Sequence, residues 1–510
     1  MILVPELLIT LFHGRINCKE VLYRSLLLIE SSVYYTLSYE PRVAKLLRLF
    51  MKLIKRLAAV AITSALLTGC NSHNTNDITP AANNVTIATF NLSFDRNSFE
   101  QLVDEMQTSP AEQQLLIDGF NAKTLTSAQT DTALKIIQIR NVAAIIQTKR
   151  PNVILLAEFN NDGTGENTAA LTGFQNNYLS IGQSPNSITG GDTLKPIKYP
   201  FFESYATNTG LMSGLDINND GKVNSGPNDA WGFGVYHGQY GFSLMSQYKI
   251  DTAKTRTFQT FKWKDLPLAE NPVITNCNDA KNPIPDGMAC GDKWYTADEW
   301  QQLRLSSKNH VDAPIIIPTA NGEQTIHILM SHPTPPVFDT VTQNNKMKNR
   351  DEIQFWNNYI TNGDFIYDDN GTTGGLAEDE KFVIVGDLNA DPYAGDGYRQ
   401  TIENLLMHHR VNQQASDGAL TPTSLGAESC YSDKECRQDN PYPNRLTSNF
   451  GLQVDHAIPS HNMTIVDSGV YWPAHDEQGR LLVNDDRIGK TGKGKDVSSD
   501  HRMVWIKATL

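Results

Sequence analysis

Residues 382–391 read Phe-Val-Ile-Val-Gly-Asp-Leu-Asn-Ala-Asp, an apolar run that ends in polar side chains. The run from Phe382 to Val385 is aromatic and β-branched, which is typical of a buried strand. Asp387 and Asn389 follow two positions apart, and on an extended backbone this spacing turns both side chains to the same face. A carboxylate and an amide held side by side can position a water molecule. The alternative is an ordinary Asp/Asn turn after a strand, because these residues favour turns.

Five other stretches combine an apolar strand with polar residues suited to a metal or a phosphate. They are Ile87-Ala-Thr-Phe-Asn91, Val153-Ile-Leu-Leu-Ala-Glu158, Ile326-His-Ile-Leu-Met-Ser-His332, Val454-Asp455-His456-Ala-Ile458 and Ser499-Asp500-His501, which Arg-Met-Val-Trp-Ile follows. In this order the six stretches resemble the endonuclease/exonuclease/phosphatase superfamily. The resemblance covers roughly residues 85–510, and Gly-Asp-Leu-Asn and Ser-Asp-His are its most specific parts. One departure is Ala157, where the family usually has Gln before its metal-binding Glu.

Strands and helices alternate along the chain, which indicates an α/β domain. Val85–Leu92 and Val153–Glu158 are predicted strands, and Thr132–Lys149 between them is a predicted helix with one apolar face. Further elements are predicted as strands at Tyr240–Tyr248, Gln324–Ser331 and Met503–Lys507, as a helix at Arg350–Ile360, and as long loops at residues 160–230, 271–292 and 411–450. The resemblance implies the finer arrangement, a four-layered α/β/β/α sandwich of two packed mixed sheets with outer helices, in a single domain with long loop insertions.

Residues 51–70 have the pattern of a secretory signal, with a basic start, a short apolar stretch and small residues near the end. The segment ends in Leu67-Thr-Gly-Cys70, which resembles the bacterial lipobox whose cysteine is lipidated. The alternative is a plain signal peptide with a chance cysteine. Asn71 after the cysteine resembles lipoproteins that are sent to the outer membrane.

A signal should start a chain, so the residues before this one need an explanation. Met51 is a natural initiator, and we interpret residues 1–50 as an over-extended N-terminus. The alternative is an unusual N-terminal extension. Residues 71–84 are polar and without periodicity, which predicts a flexible tether before the catalytic domain at 85–510.

The composition predicts a soluble, acidic, globular protein. Hydrophobic residues make up 40% and charged residues 19% of the 510 residues, and the formal net charge is −13. Such a chain has no general attraction for nucleic acid or for anionic membranes, although a local basic groove is compatible with it.

The cysteines near the middle and end of the chain occur as two close pairs. Cys277 and Cys290 form one pair and Cys430 and Cys436 the other, each in a loop rich in polar residues. In an oxidising compartment, two short-range disulfides are the natural interpretation. Neither pair has companion cysteines or histidines at zinc spacing.

The hydrolysis of a phosphate ester needs a metal ion, a positioned water and donors for the transition-state oxygens. Glu158 and Asp500 are hard oxygen ligands that suit Mg²⁺ or Mn²⁺, and Asn91 is a candidate third contact. The resemblance implies that Asp387 orients and deprotonates the water with Asn389 beside it.

The resemblance also assigns phosphate contacts. It implies that His501 contacts the scissile phosphate while Asp455 holds its ring, a pairing with its own physical logic. His332 would be a second phosphate contact and Tyr240 would line the site. Taken alone, a histidine such as His332 is more often structural. A basic residue within 304–310 would add positive charge, but the sequence does not decide which one.

A second metal site is predicted in the stretch Asp216-Ile-Asn218-Asn-Asp220-Gly221. Oxygen ligands at positions 1, 3 and 5 with Gly at position 6 match the start of a calcium loop. Position 12 is Pro227 rather than Glu, so Asp229 would have to close the shell around a structural Ca²⁺. The alternative is a bare Asn/Gly turn.

Together these features predict a metal-dependent hydrolase of phosphoester bonds, of a phosphodiesterase or nuclease-like kind. The alternatives are a phosphomonoesterase, a phospholipase C-type hydrolase, and, from another class, a noncatalytic surface lipoprotein that uses the fold for binding. The predicted partners are a phosphoester substrate, with nucleic acid among the candidates, and a membrane contacted only through the lipid anchor of a monomer. The predicted location is the bacterial cell envelope, at the outer membrane, or outside the cell.

Overall fold

The computed structural model describes residues 82–510 of the chain. The predicted N-terminal extension at 1–50, the signal at 51–70 with Cys70 and most of the tether at 71–84 lie outside the described residues and stay predictions. Within the described part, no helix is long and apolar enough to cross a membrane.

Two sheets form the centre of the fold. The strands are, in chain order, β1 (Asn84–Phe94), β2 (Val153–Phe159), β3 (Phe201–Ser204), β4 (Phe242–Ser246), β5 (Lys249–Ile250), β6 (Arg256–Thr257), β7 (His310–Thr319), β8 (Gly322–Ser331), β9 (Phe382–Asp387), β10 (Asp455–Pro459), β11 (Thr464–Val470) and β12 (Val504–Thr509). The first sheet has the order β11-β12-β1-β2-β4-β3, and the second has β10-β9-β8-β7-β5 with β6 also paired to β7. β1 runs parallel to β2 and β8 runs parallel to β9, while the other pairs are antiparallel, so both sheets are mixed.

Helices cover the outer faces of the sheets. They are α1 (Phe99–Gln107), α2 (Pro110–Ala122), α3 (Ser127–Lys149), α4 (Ala169–Phe174), α5 (Ala297–Trp300), α6 (Asn344–Tyr359), α7 (Arg399–Leu406), α8 (Gln413–Ser416) and α9 (Leu425–Ser432). Ile136 and Ile139 of α3 belong to the same apolar core as the first sheet. Ile353 and Phe355 of α6 pack with the outward residues of the second sheet.

The alternation along β9 shows how the layers arise. Val383 and Val385 belong to the core that the two sheets share. Phe382 and Ile384 belong to the core under α6. Because successive side chains of a strand point to opposite faces, one strand serves both interfaces. The predicted four-layered single α/β domain is confirmed.

Several elements differ from the sequence prediction. The segment after β1, for which the sequence analysis gives no element, holds α1 and α2. Ser109 caps α2 through a reciprocal hydrogen-bond pair with Glu112, and Pro110 occupies the first turn. β7 was also not predicted, because Pro314 and Pro318 interrupt its apolar pattern. The long loops at 160–230 and 411–450 contain short helices, and the first also contains β3.

The cysteine pairs differ in their outcome. Cys277 and Cys290 form a disulfide. The predicted bond between Cys430 and Cys436 is wrong, since both are free thiols in this structure. Cys430 lies within the helix α9, and its thiol is in hydrogen-bond contact with that of Cys436, which raises the pKa of Cys430. A disulfide needs the two Cβ atoms at a defined distance and direction, and sequence spacing alone does not show this.

Candidate active site

The ends of the central strands meet at one cleft. In the first sheet, Asn91 of β1 and Glu158 of β2 lie at the ends of neighbouring parallel strands. In the second sheet, Asp387 of β9 and Asp455 of β10 are direct partners across an antiparallel pair. The amide N–H of Asn91 donates to Asp387 over 3.0 Å, so the polar residues of both sheets form one group.

Asp387 lies at the centre of this group and is only 1% exposed. One carboxylate oxygen, Oδ2, lies 3.0 Å from the Asn91 amide nitrogen, 3.5 Å from Nε2 of His332 and 3.6 Å from Nε2 of His501. The other oxygen accepts the backbone N–H of Asn389 over 3.0 Å. Burial raises the pKa of Asp387 to about 6, although the charge of His501 opposes the rise. The carboxylate is therefore a moderately strong base at neutral pH.

His501 is held by a second carboxylate. Its Nδ1 lies 2.9 Å from Oδ2 of Asp455, and the hydroxyl of Thr447 donates to the same oxygen over 2.8 Å. Burial alone would lower the pKa of His501, but the charges of Asp455 and Asp387 outweigh it and raise that pKa well above its ordinary value. His501 is thus an imidazolium whose orientation Asp455 sets.

The opposite end of the group is rich in carboxylate oxygens. Asn91 donates its amide N–H to Glu158 over 3.1 Å, and its amide oxygen accepts the backbone N–H of Ser93 over 3.0 Å. The hydroxyl of Ser93 donates to Asp500. Burial raises the pKa of Glu158 to about 7, with the charge of His501 opposing the rise and that of Asp500 adding to it. A cation at this end would offset that repulsion.

These donors fit a divalent cation. Glu158 and Asp500 supply the hard oxygens that Mg²⁺ and Mn²⁺ prefer. The amide nitrogen of Asn91 donates to Glu158 and to Asp387, so Asn91 bridges these two carboxylates and does not present its oxygen as a metal ligand in this arrangement. The group found at ligand spacing within residues 82–510 is Asp387, Asp455 and His501, whose ligand atoms lie within 4.8 Å of one another. That group is less suitable for a metal, because a protonated imidazole has no free lone pair.

Lys308 is the basic residue of the 304–310 segment that reaches the site. It is 6% exposed. Burial lowers its pKa, while the nearby charges of Glu352, Glu158 and Asp387 favour the protonated form. Arg304 donates instead to a side-chain amide, and His310 is buried with its pKa lowered to about 4. Lys308 therefore supplies positive charge to the cleft.

The remaining predicted site residues also lie at the cleft. His332 is buried beside Asp387, and burial together with the charges of Lys308 and His501 lowers its pKa well below the ordinary value. The amide N–H of Asn389 donates to the Pro333 carbonyl over 3.1 Å. The backbone N–H of Tyr240 donates to the Asn160 side chain over 2.9 Å. Burial raises the pKa of Tyr240, with the charges of Asp95 and Glu158 adding to the rise.

Some backbone strain lies at this cleft, although other non-glycine residues of the described chain share it. Four non-glycine site residues have left-handed φ angles, namely Ser93 (52°), Glu158 (54°), Tyr240 (59°) and Asn389 (49°). Such conformations are uncommon outside glycine and persist where the surrounding structure imposes them. The strand ends are thus shaped to direct their side chains.

Two contributors to the site, Thr447 and Ser93, were not predicted from the sequence. Thr447 lies in a loop that was predicted only as a loop, and it reaches Asp455 through the tertiary fold. Ser93 lies two positions after Asn91, a spacing that could have marked it as a site residue on the same strand.

The loop predicted to bind calcium is closed by its own hydrogen bonds. Asp216 accepts the backbone N–H of Asp220 and of the following residue. Asp229 is fully buried and accepts the N–H groups of Asn218 and Ser225. Within residues 82–510, the acidic and histidine side chains found together at ligand spacing are those of the cleft, and this loop does not form such a group.

The chain belongs to the endonuclease/exonuclease/phosphatase family, whose model matches residues 88–501. Members of this family are typically phosphoester hydrolases and generally use divalent metals. No sequence among the curated proteins compared matches this chain.

Similar solved structures are all distant in sequence. An endonuclease/exonuclease/phosphatase from Beutenbergia cavernae is 12% identical over 84% of this chain and 72% of its own, with a TM-score of 0.37. TDP2 from D. rerio, complexed with a single-strand DNA product, is 11% identical over 84% of this chain and 100% of its own, with a TM-score of 0.34. The human Nocturnin catalytic domain with a bound sulfate anion is 10% identical over 84% of this chain and 94% of its own, with a TM-score of 0.32. The family assignment rests on the match over residues 88–501.

Proposed function

We propose that the protein is a metal-dependent hydrolase of phosphodiester bonds that attacks with an activated water. The observation that carries the proposal is the position of the buried Asp387 carboxylate, which lies within 3.6 Å of Asn91, His332 and His501. The family supplies the reaction class, and this geometry supplies the base.

Asp387 accepts the proton of the attacking water. Its pKa of about 6 leaves it mostly ionised at neutral pH and still basic enough to take a proton in the transition state. The Asn389 N–H occupies one oxygen and so fixes the plane of the carboxylate. Oδ2 is then the oxygen that faces the water.

His501 and Lys308 stabilise the charge of the phosphate. The imidazolium donates its Nε2–H toward the cleft, because Asp455 already holds the other ring nitrogen. Lys308 contributes a second positive charge. Preorganised donors of this kind stabilise the charge that develops on the phosphoryl oxygens in the transition state.

Glu158 and Asp500 would hold the divalent cation, which we propose to be Mg²⁺ or Mn²⁺. When bound, such an ion neutralises phosphate charge and lowers the cost of bringing an anion to a cleft of carboxylates. The possible structural Ca²⁺ of the 216–229 loop stays a separate prediction.

A phosphomonoesterase and a phospholipase C-type hydrolase use the same chemistry and remain the nearest alternatives. A noncatalytic binding lipoprotein is less well supported, because a binding surface has no need of a buried base, a carboxylate-held imidazolium and paired metal donors together.

We further propose that the protein is a lipid-anchored monomer of the cell envelope, attached through Cys70 at the outer membrane. The lipobox-like Leu67-Thr-Gly-Cys70 and the following Asn71 support this location.

The proposal is tested by assaying the purified protein with Mg²⁺, Mn²⁺ and Ca²⁺ in turn. The substrates are bis(p-nitrophenyl) phosphate, p-nitrophenyl phosphate, DNA, RNA and sphingomyelin. We expect hydrolysis of a diester that EDTA abolishes and Mg²⁺ or Mn²⁺ restores. Hydrolysis of the monoester alone would favour the phosphomonoesterase, and no hydrolysis of any substrate would favour the binding protein.

A further inference from the structure

A cavity of about 310 Å³ lies beside the catalytic cleft, on the side of Asp500 and His501. Asn449 and Phe450 line it and also contact the catalytic residues. The Asn449 N–H donates to the Asp500 carbonyl over 2.9 Å, and the Phe450 ring meets the His501 ring edge-on at 5.4 Å. The cavity and the cleft are therefore neighbours separated by one short segment.

The lining of this cavity is basic, although the chain as a whole carries a net charge of −13. Arg480, Lys493 and Arg502 all line it. Glu435 is the carboxylate of the lining, and it lies 3.4 Å from Lys493. The positive charges exceed the negative one, so the cavity favours an anion.

Arg502 gives this cavity a buried donor with spare capacity. The residue is 1% exposed, and its Nη1 donates to the carbonyls of Ser499 and His501. Within residues 82–510, its Nε and Nη2 find no hydrogen-bond partner, nor does the indole nitrogen of Trp472, whose ring lies 4.4 Å from the guanidinium carbon. Buried donors are rarely left unpaired, since each one costs free energy. The guanidinium of Arg502 lines the cavity, and its positive charge favours an anionic ligand there.

Phosphate is the anion that suits this lining best. Two guanidinium groups and one ammonium form charge-assisted hydrogen bonds, and the fork of an arginine matches the oxygens of a phosphate. The scissile phosphate belongs at Asp387, so a group in the cavity would be a different one. Arg502 directly follows His501, and the same backbone segment therefore positions both sites.

We propose that this cavity binds a second, non-reacting phosphate of the substrate while the scissile phosphate lies in the cleft. The proposal rests on the proposed function and adds a specificity determinant to it. Substrates with at least two phosphates are then preferred, whether they are nucleotides or phosphorylated headgroups.

The test compares matched substrates that differ by one phosphate. Thymidine 5′-(p-nitrophenyl phosphate) is assayed with and without a 3′-phosphate, and glycerophosphoinositol with and without a 4-phosphate. For the wild type we expect kcat/KM to be roughly tenfold or more higher for the member with the added phosphate in at least one pair. A preference only in the first pair identifies a nucleotide substrate, and one only in the second identifies a headgroup. No preference in either pair would overturn the proposal.

The variant Arg480→Gln, Lys493→Gln tests the residues. We expect it to lose most of that preference while its rate on bis(p-nitrophenyl) phosphate stays unchanged. Lys490→Gln is the control, because Lys490 is exposed on the same segment and does not line the cavity. A double variant that keeps the full preference would contradict the assignment.

A binding measurement separates this proposal from the proposed function. In EDTA, inorganic phosphate should raise the melting temperature of the wild type and of Lys490→Gln more than that of the double variant. If the protein hydrolyses no phosphoester yet shows this difference, the anion site stands and the catalytic proposal fails. Equal shifts in all three proteins would overturn the anion site.

Discussion

The charges of a few buried side chains determine what this site can do. Nε2 of His501 faces Asp387, and Nδ1 of the same ring is hydrogen-bonded to Asp455. Lys308 adds positive charge. The pairing makes His501 cationic and keeps Asp387 ionised at neutral pH, so the site holds a base and an acid of opposite charge. The contribution of Lys308 can be tested separately, because its charge can be removed or kept by single substitutions.

Replacing Lys308 by Gln should lower kcat/KM for a phosphodiester roughly 10- to 100-fold, because one charge-assisted contact to the phosphate is lost. Lys308→Arg is the matched control and should retain much of the activity, since it keeps the charge. The measurement is steady-state kinetics on bis(p-nitrophenyl) phosphate. Equal loss in both variants would indicate that Lys308 acts through packing rather than charge.

The sequence predicted many individual residues of the site because strand ends leave a local pattern. Asp387 and Asn389 follow an apolar run at a two-residue spacing, and that spacing requires no knowledge of the rest of the fold. Lys308 had no such pattern, since three basic residues within 304–310 were equivalent until the tertiary structure placed one of them at the cleft. The Cys430–Cys436 bond was predicted from spacing alone, and the two thiols lie in contact without forming it.

At the level of strands and helices, an ion-pair network joins β7, β8 and α6. Nδ1 of His327 lies 2.7 Å from Asp312, and the hydroxyl of Tyr359 donates to the other oxygen of Asp312 over 2.6 Å. Nε2 of His327 lies 3.7 Å from Glu380. Burial lowers the pKa of His327, but its hydrogen bond and charge interaction with Asp312 outweigh burial, so the pKa is raised.

This network predicts a pH-dependent stability. A raised folded-state pKa means that protonated His327 contributes stability at pH values below about 6.5, the unfolded value, and that the contribution is lost as pH rises through the folded pKa. The free energy of unfolding of the wild type should therefore fall relative to His327→Gln as pH rises through and above about 6.5. Urea denaturation of both proteins across this range measures the difference. A constant difference would contradict the prediction.

The 216–229 loop allows a separate test at the same scale. If it binds a structural Ca²⁺, calcium at 100 times its dissociation constant should stabilise the wild type by about 2.7 kcal/mol. The variant Asp216→Ala, Asp220→Ala should lose this gain and keep its dependence on Mg²⁺. Thermal melts with and without Ca²⁺ measure the stabilisation. Equal changes in the melting temperatures of both proteins would show that the loop is an ordinary turn.

The elements were predictable where an apolar segment has a clear boundary in the sequence. β9 begins as a continuous apolar run that Gly386 follows, and Pro151 lies just beyond the end of α3. β7 was not predicted, since its two prolines are residues more typical of loops. Helix α2 carries a capping box at Ser109 and Glu112 that a search for caps would have found.

For the whole molecule, the sandwich brings residues more than 400 positions apart into one site, as the contact between Ser93 and Asp500 shows. The alternation of strands and helices predicts the fold class. The pairing of the two sheets came from the family resemblance, because the packing of one sheet on another leaves no local signal. The proposed N-terminal signal belongs to this scale, since such a signal would determine where the molecule works.

Cys70→Ser should release the protein from membranes, because lipid chains on that cysteine would be its only anchor. Fractionation of cells that produce each form measures this, with an intact signal in both. Membrane association that is unchanged in the variant would show that another feature holds the protein.

The most direct test of the central claim is the rate at which Asp387→Asn hydrolyses bis(p-nitrophenyl) phosphate in the presence of Mg²⁺ or Mn²⁺. The substitution removes the base and almost no volume, so melting temperature and metal binding, measured in parallel, should change little. We predict that kcat falls by roughly 10²- to 10⁴-fold. An Asp387→Asn protein as active as the wild type would contradict the assignment of Asp387 as the base that activates water.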